Sequence, residues 1–279
     1  MIPDTETNFL WLADTLQKQY PGFYVRFVKA LAELKIPFDI LPGTKDVWAV
    51  DYMPIQITKE RFVQFVYNPD YLRESVKWQK TISDVDGICA AINIRPERSP
   101  IILDGGNVVR TSGQVIMCDK VFSENPGYTE KELTRELSRI FETDQIIFIP
   151  THPPDITGHA DGVVRFYDKD TALINDYSKE KPEFQRRFRL ALHNAGLKYI
   201  EIPYNPYQNR SDMNATGIYI NFLQMQQGIV LPVFGMAEDE IVIRKFEDLY
   251  PGVSIATVES NELAKEGGIL NCVTWNILR

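Results

Sequence analysis

The residue types that could do chemistry stand in five short motifs. They are Cys272 in Gly267-Gly268-Ile269-Leu270-Asn271-Cys272-Val273, His159 and Asp161 in Gly158-His159-Ala160-Asp161-Gly162, Asp104 before Gly105-Gly106-Asn107, Asp51 in Trp48-Ala49-Val50-Asp51-Tyr52, and Asn221 inside Tyr219-Ile220-Asn221-Phe222. One thiol, one imidazole and several carboxylates are a catalytic constellation: a nucleophile, a group that moves protons, and acids that can act beside them. Taken one per motif, these residues recur at intervals of about 50 to 60 residues, the spacing of a repeated structural unit. Equivalent positions in a ring of repeats face one axis, so the motifs would meet in a single pocket.

Singly, each residue has an ordinary reading. Cys272 fits as a small buried hydrophobe, and His159 as a surface turn or a metal ligand. Asp104 before two glycines fits the end of a strand, and Asp51 fits a bond to a backbone group. Asn221 is the odd one, because an amide in an apolar run needs a partner. A metal is disfavoured: the other histidines, His152 and His193, offer neither HxxxH nor HxH spacing.

The elements that would position these motifs repeat as well. Residues 5–19 and 22–35 read as helices, with Phe9, Leu12 and Leu16, then Val25, Val28 and Leu31, at three- and four-residue steps. Phe38 to Pro42 reads as a strand closing that unit. The helix-then-strand pattern returns in Glu130–Phe141 with Ile146–Pro150, in Glu183–Ala195 with Tyr199–Pro203, and in Ile241–Leu249 with Val253–Val258; Tyr71–Ile92 is a weaker example. Between these units lie β-rich stretches at 50–67, 101–122, 158–177, 217–234 and 267–276. Most carry a polar turn between apolar arms, such as Thr111-Ser112-Gly113 and Asp168-Lys169-Asp170, as hairpins do. The fifth stretch reads without a second strand. Five-fold self-similarity without a low-complexity linker predicts one α/β domain over 1–279, a closed ring of repeats.

Composition narrows the function. The 279 residues carry 30 Lys and Arg against 38 Asp and Glu, a net charge of −8. That balance argues against nucleic acid, whose affinity comes mainly from clustered basic residues. No apolar run approaches a membrane span; Pro232 interrupts one of the longest, Gly228–Ala237. The first residues lack the charged leader of a secretory signal. Cys89, Cys118 and Cys272 are odd in number and far apart, forming neither a disulfide framework nor a CxxC pair. A soluble, reduced, cytoplasmic protein is expected.

Taken together, Trp48-x-x-Asp51-x-x-Pro54, Leu103-Asp104-Gly105-Gly106-Asn107, Gly158-His159-x-Asp161, Tyr219-Ile220-Asn221-Phe222 and Gly267-Gly268…Cys272 resemble, in type and order, the agmatine deiminase and bacterial-type peptidyl-arginine deiminase family. Ser123-Glu124-Asn125-Pro126-Gly127 adds to the likeness, which runs from about Trp48 to the C-terminus. The resemblance implies a five-bladed α/β-propeller (pentein) of pseudo-fivefold ββαβ repeats, and a hydrolase that removes ammonia from a guanidinium through a covalent thiouronium. It casts Cys272 as nucleophile, His159 as acid and base, Asp51 and Asp161 as the clamp on the guanidinium, and Asp104, Asn221, Trp48 and Asn107 as substrate-binding residues. It implies no metal or organic cofactor, and a partner that is a small cationic guanidino compound or an arginine residue. Two departures bear on the substrate: Val50 stands where the family usually has Arg, and Asn271 where it commonly has His. Amidinotransfer to an amine, or a propeller that binds guanidino ligands without turnover, are the competing readings; a homodimer is left open.

Overall fold

The structure, a computed structural model, describes residues 1–73, 76–211 and 213–279. The crossover helix Glu130–Phe141 illustrates how local sequence sets its elements. Thr129 and Glu132 form a capping box: Thr129 Oγ1 accepts from the Glu132 amide at 3.3 Å, and Glu132 Oε2 accepts from the Thr129 amide at 2.9 Å. Leu133, Leu137, Ile140 and Phe141 then fall on one face and are buried. The same apolar spacing buries Phe23, Phe27 and Leu31 of helix Pro21–Glu33, Phe184, Phe188 and Leu192 of Pro182–Asn194, and Val242 and Phe246 of Glu238–Leu249.

The strands are β1 (Phe9–Ala13), β2 (Phe38–Leu41), β3 (Ile55–Gln56), β4 (Phe62–Val66), β5 (Glu97–Ile102), β6 (Val109–Arg110), β7 (Gln114–Cys118), β8 (Gln145–Ile149), β9 (Val164–Phe166), β10 (Thr171–Asn175), β11 (Lys198–Ile202), β12 (Leu223–Met225), β13 (Gly228–Val233), β14 (Ile255–Glu259) and β15 (Thr274–Ile277). They form five three-stranded sheets: β3-β4-β5, β6-β7-β8, β9-β10-β11, β12-β13-β14 and β15-β1-β2. Each sheet has the same wiring. Its first strand pairs antiparallel with its second, and the second reaches a parallel third strand through a helix-bearing crossover.

The fifth sheet corrects two expectations together. Residues 9–13 were expected within the first helix but form β1, and the helix there is only Asp14–Gln19. Phe9-Leu10-Trp11-Leu12-Ala13 is a continuous apolar run covered on both faces, which a helical spacing reads equally well. This strand is the partner that the fifth hairpin lacks in sequence: it comes from the other end of the chain, with Phe9 opposite Ile277 and Trp11 opposite Trp275. Trp275 Nε1 then donates to the Pro54 carbonyl at 2.8 Å, tying this sheet to the start of β3.

Smaller shifts concern the β-rich stretches. Residues 50–52 belong to the helical turn Ala49–Tyr52, 120–122 to the short helix Lys120–Glu124, and 217–222 form no strand before β12, being mostly turn with Ile218 in an isolated bridge to Tyr204. Tyr71–Ile92 is not one helix: it is broken at 80–84, before Val85–Ala91, while Asp70–Arg73 and Val76–Gln79 lie on either side of 74 and 75, which are outside the described residues. Among the described residues no helix is long and apolar enough to cross a membrane.

Candidate active site

Every chemistry-bearing residue sits at the same station of its unit, in the turn just before the first strand of a sheet. Asp51 lies in the turn before β3, Asp104 before β6, His159 and Asp161 before β9, Asn221 before β12 and Cys272 before β15. Side chains from these turns meet at a cavity of about 700 Å³ whose lining includes Trp48, Asp51, His159, Asp161, Asn221 and Cys272.

The contacts are short. His159 Nδ1 is 3.4 Å from Asp51 Oδ1, and His159 Nε2 donates to Asp104 Oδ2 at 2.9 Å. Cys272 Sγ lies 3.7 Å from Asp161 Oδ2, and Asn221 Nδ2 donates to the sulfur at 3.3 Å. Asn221 also holds the Cys272 backbone, its Oδ1 accepting from the Asn271 amide at 3.0 Å and the Cys272 amide at 3.4 Å. The odd amide in an apolar run therefore has its partners.

Two glycines make this approach possible. A side chain at Gly106 would come within 2.5 Å of Asp51 Oδ1 and 2.7 Å of His159 Nδ1, and the Gly106 amide instead donates to that carboxylate at 3.0 Å. A side chain at Gly268 would collide with the Trp48 ring, which packs there as cavity wall.

Not every expected residue reaches the cavity. Asp104 is not among its lining residues: fully buried, it stands behind the imidazole and orients it. Asn107 points elsewhere, because side chains diverge along the tight turn Gly105–Asn107. Its amide clasps the Cys118 backbone, accepting at 2.7 Å and donating at 3.4 Å. The two departures also find places. Asn271 donates to Asp161 Oδ2 at 2.7 Å, and the Val50 amide donates to the Cys272 carbonyl at 3.4 Å. Tyr67 and Tyr71, which line the cavity, carry no motif in the sequence and were missed. The ring of Tyr71 meets that of His159 edge-on, with centroids 6.2 Å apart.

Electrostatics follow from burial. Burial pushes Asp51 up to about 7, against the pull of His159 and with Asp104 and Asp161 adding to the rise. For His159 burial works downward, but Asp51 and Asp104 outweigh it and lift the imidazole to about 10. Burial, then the charges of Asp161 and Asp51, drive the Cys272 thiol well above its usual range. Asp161 is raised by burial too, with His159 and Asn271 opposing. Asp51 and Asp161 thus line the cavity beside one imidazolium, with Asp104 behind it and faced by Lys120, and the charge that would complete the set is a cation. Among the described residues no three His, Cys, Asp or Glu side chains are placed to hold a metal ion.

Comparison with known proteins places this arrangement. C. jejuni agmatine deiminase superposes with a TM-score of 0.80 at 19% identity, covering 100% of this chain and 95% of that one. The agmatine deiminase of Enterococcus faecalis gives 0.78 at 16%, covering 99% and 94%; DDAH from Pseudomonas aeruginosa gives 0.59 at 13%, covering 97% and 99%. At these identities the likeness is one of fold. A Streptomyces coelicolor relative whose name places it among agmatine deiminases is 23% identical over 253 residues, 82% of this chain and 75% of its own length. A second such relative, from Mycoplasma mycoides, is matched over 63% of its length. The match that decides the matter runs from residue 14 to residue 277, and on it the chain belongs to the Porphyromonas-type peptidyl-arginine deiminase family.

Proposed function

We propose that the five ββαβ units close into a five-bladed α/β-propeller, one domain over 1–279, and that it hydrolyses the C–N bond of a guanidinium with Cys272 as nucleophile. The observation that carries this is the Cys272 thiol lying 3.7 Å from the Asp161 carboxylate, in a buried cavity it shares with Asp51 and the His159 imidazole.

Asp51 and Asp161 would hold the planar cation through charge-assisted hydrogen bonds, fixing its plane as well as its charge. In the free site the thiol keeps its proton. The incoming cation offsets the two carboxylates that oppose ionisation, so the thiol gives its proton to solvent and the thiolate forms where it is needed. Sulfur then bonds to the guanidinium carbon. His159 gives its proton to the departing nitrogen, the C–N bond breaks and ammonia leaves, with a cationic thiouronium remaining on Cys272. Neutral His159 next takes a proton from water as the oxygen bonds to the same carbon. The C–S bond breaks as the remaining oxygen-bound proton passes to the sulfur, returning the thiol and releasing a neutral ureido product. Positioned proton transfer of this kind is typically worth about 10²–10⁴-fold.

The cavity also speaks to substrate class. Its described lining includes Asp46, Asp155, Glu180 and Glu266 besides the clamp, and no Lys or Arg. Among the described lining residues no Lys or Arg side chain would receive an α-carboxylate. This favours an agmatine-like compound, or an arginine whose carboxylate is masked, over free arginine. The test is ammonia release from agmatine, free arginine, N-acylated arginines, arginine peptides and simple guanidines, by native protein and Cys272→Ala. Turnover by the native protein alone, poorest on free arginine, is expected. Silence across the panel, or turnover that survives Cys272→Ala, overturns the reading; an amidino product formed only with an added amine would make the enzyme a transferase.

A further inference from the structure

Lys120 is a buried cation that the mechanism above does not use. It opens the short helix Lys120–Glu124 directly after β7, with its side chain 7% exposed. Its Nζ meets four separate parts of the site. It donates to the Thr157 carbonyl at 2.5 Å, two residues before His159. It lies 3.1 Å from Asp70 Oδ1, 3.3 Å from Glu124 Oε1 and 3.9 Å from Asp104 Oδ2, the same oxygen that receives the His159 proton. It also sits 5.0 Å from the centre of the Tyr71 ring, the cavity wall that touches His159. The stem is built into the motif as well. Gly158 has φ of +63°, and any side chain there would lie 2.8 Å from Lys120 Cδ, so the glycine before His159 makes room for this lysine.

We propose that Lys120 is a positioning residue for the reaction: through Asp104 and the Thr157 carbonyl it sets the place and the proton affinity of His159, and through Asp70 and the Tyr71 ring it fixes the wall beside it. This rests on the deiminase reading of the site. An alternative in which Lys120 only neutralises Glu124 does not account for contacts on three other segments. The lysine keeps its charge: burial works against it, but Asp104, Glu124 and Asp70 outweigh burial and raise its proton affinity. The titratable groups facing His159 are Asp51, Asp104, Asp161, the Tyr71 ring and, beyond Asp104, Lys120; of the charged ones only Lys120 opposes protonation of the ring. Those facing Lys120 are Asp70, Asp104 and Glu124.

The opposite charges of Lys120 and Glu124 give the test its sign. NMR titration of His159, assigned among the three histidines with His159→Gln, is run on native protein, Lys120→Met and Glu124→Gln. Losing the lysine raises the His159 midpoint by about one pH unit, and losing the glutamate lowers it by about half a unit. In the substrate assay kcat of Lys120→Met falls about tenfold or more, because the imidazole and the Tyr71 wall both shift. A packing role moves neither midpoint in opposite senses, so shifts of the same sign, or none, overturn the proposal. If Lys120→Met fails to fold, Lys120→Gln, which keeps a donor on a long side chain but removes the charge, decides: a rise of the His159 midpoint supports the proposal, and a fall or no change overturns it. The titration needs no substrate, so it stays readable should turnover be absent, and absent turnover counts against the deiminase reading only.

Discussion

Replacing Asp161 with asparagine should make a worse enzyme with a more reactive thiol. The carboxylate oxygen lies 3.7 Å from Cys272 Sγ, and at an effective dielectric near 20 two unit charges at that distance repel by about 4 kcal/mol. Removing the charge while keeping the amide's shape therefore lowers the thiol pKa by up to about 3 units, at about 1.4 kcal/mol per unit. Asn271, which donates to the same oxygen at 2.7 Å, takes up part of that charge, so about 2 units is the working figure. The assay is the pH dependence of Cys272 alkylation by neutral iodoacetamide, read on the Cys272 peptide by mass spectrometry because Cys89 and Cys118 are also free thiols. In Asp161→Asn the midpoint falls by about 2 units and alkylation at pH 7.5 accelerates up to about a hundredfold. Ammonia release drops by at least about a hundredfold, since a desolvated partner of the cation is gone. An unchanged or higher alkylation midpoint would refute the claim that Asp161 holds the free thiol protonated.

Three further outcomes follow from other parts of the molecule. Gly106→Ala places a methyl group within 2.5 Å of Asp51 Oδ1 and 2.7 Å of His159 Nδ1. Activity should fall far more than the melting temperature, and a full-activity variant would show that this pair is not needed. His159 is raised to about 10 in the fold from an unfolded value of about 6.5. Its stabilising contribution is complete below pH 6.5 and lost as pH climbs through 10, whereas Asp51, raised to about 7, acts at lower pH. Thermal melts between pH 7 and 10 should therefore decline more steeply in the native protein than in His159→Gln, where the raised buried thiols still contribute; parallel curves would contradict this. Thr129→Ala breaks the capping box at the helix Glu130–Phe141, which should lower stability by about 1 kcal/mol in denaturant titration with kcat unaltered.

Much of this protein is written in local pattern. The spacing of Leu133, Leu137 and Ile140, the box at Thr129 and Glu132, and the turns around Thr111-Ser112-Gly113 and Asp168-Lys169-Asp170 are short-range features, and the elements they foretell are present. The recurrence of one polar residue per unit was equally readable, because a repeated unit puts repeated positions in equivalent places.

What the sequence could not decide is whatever depends on chain segments far apart meeting. Phe9–Ala13 is a strand because residues 274–277 and 38–41 flank it, and nothing local says so. The same limit separates Asp104 from Asp51: both precede a strand with similar neighbours, yet one faces the cavity and the other stands behind His159. Asn107, expected to bind substrate, holds Cys118, while Asn271, read only as a departure, holds Asp161, since a turn's direction sets which side chain points inward. Lys120 belongs to no motif and gains its place only where Asp70, Asp104 and Thr157 converge on it. Residue type and period are properties of the chain, whereas the distance between two charges exists only after it has folded, and proton affinity falls off with that distance.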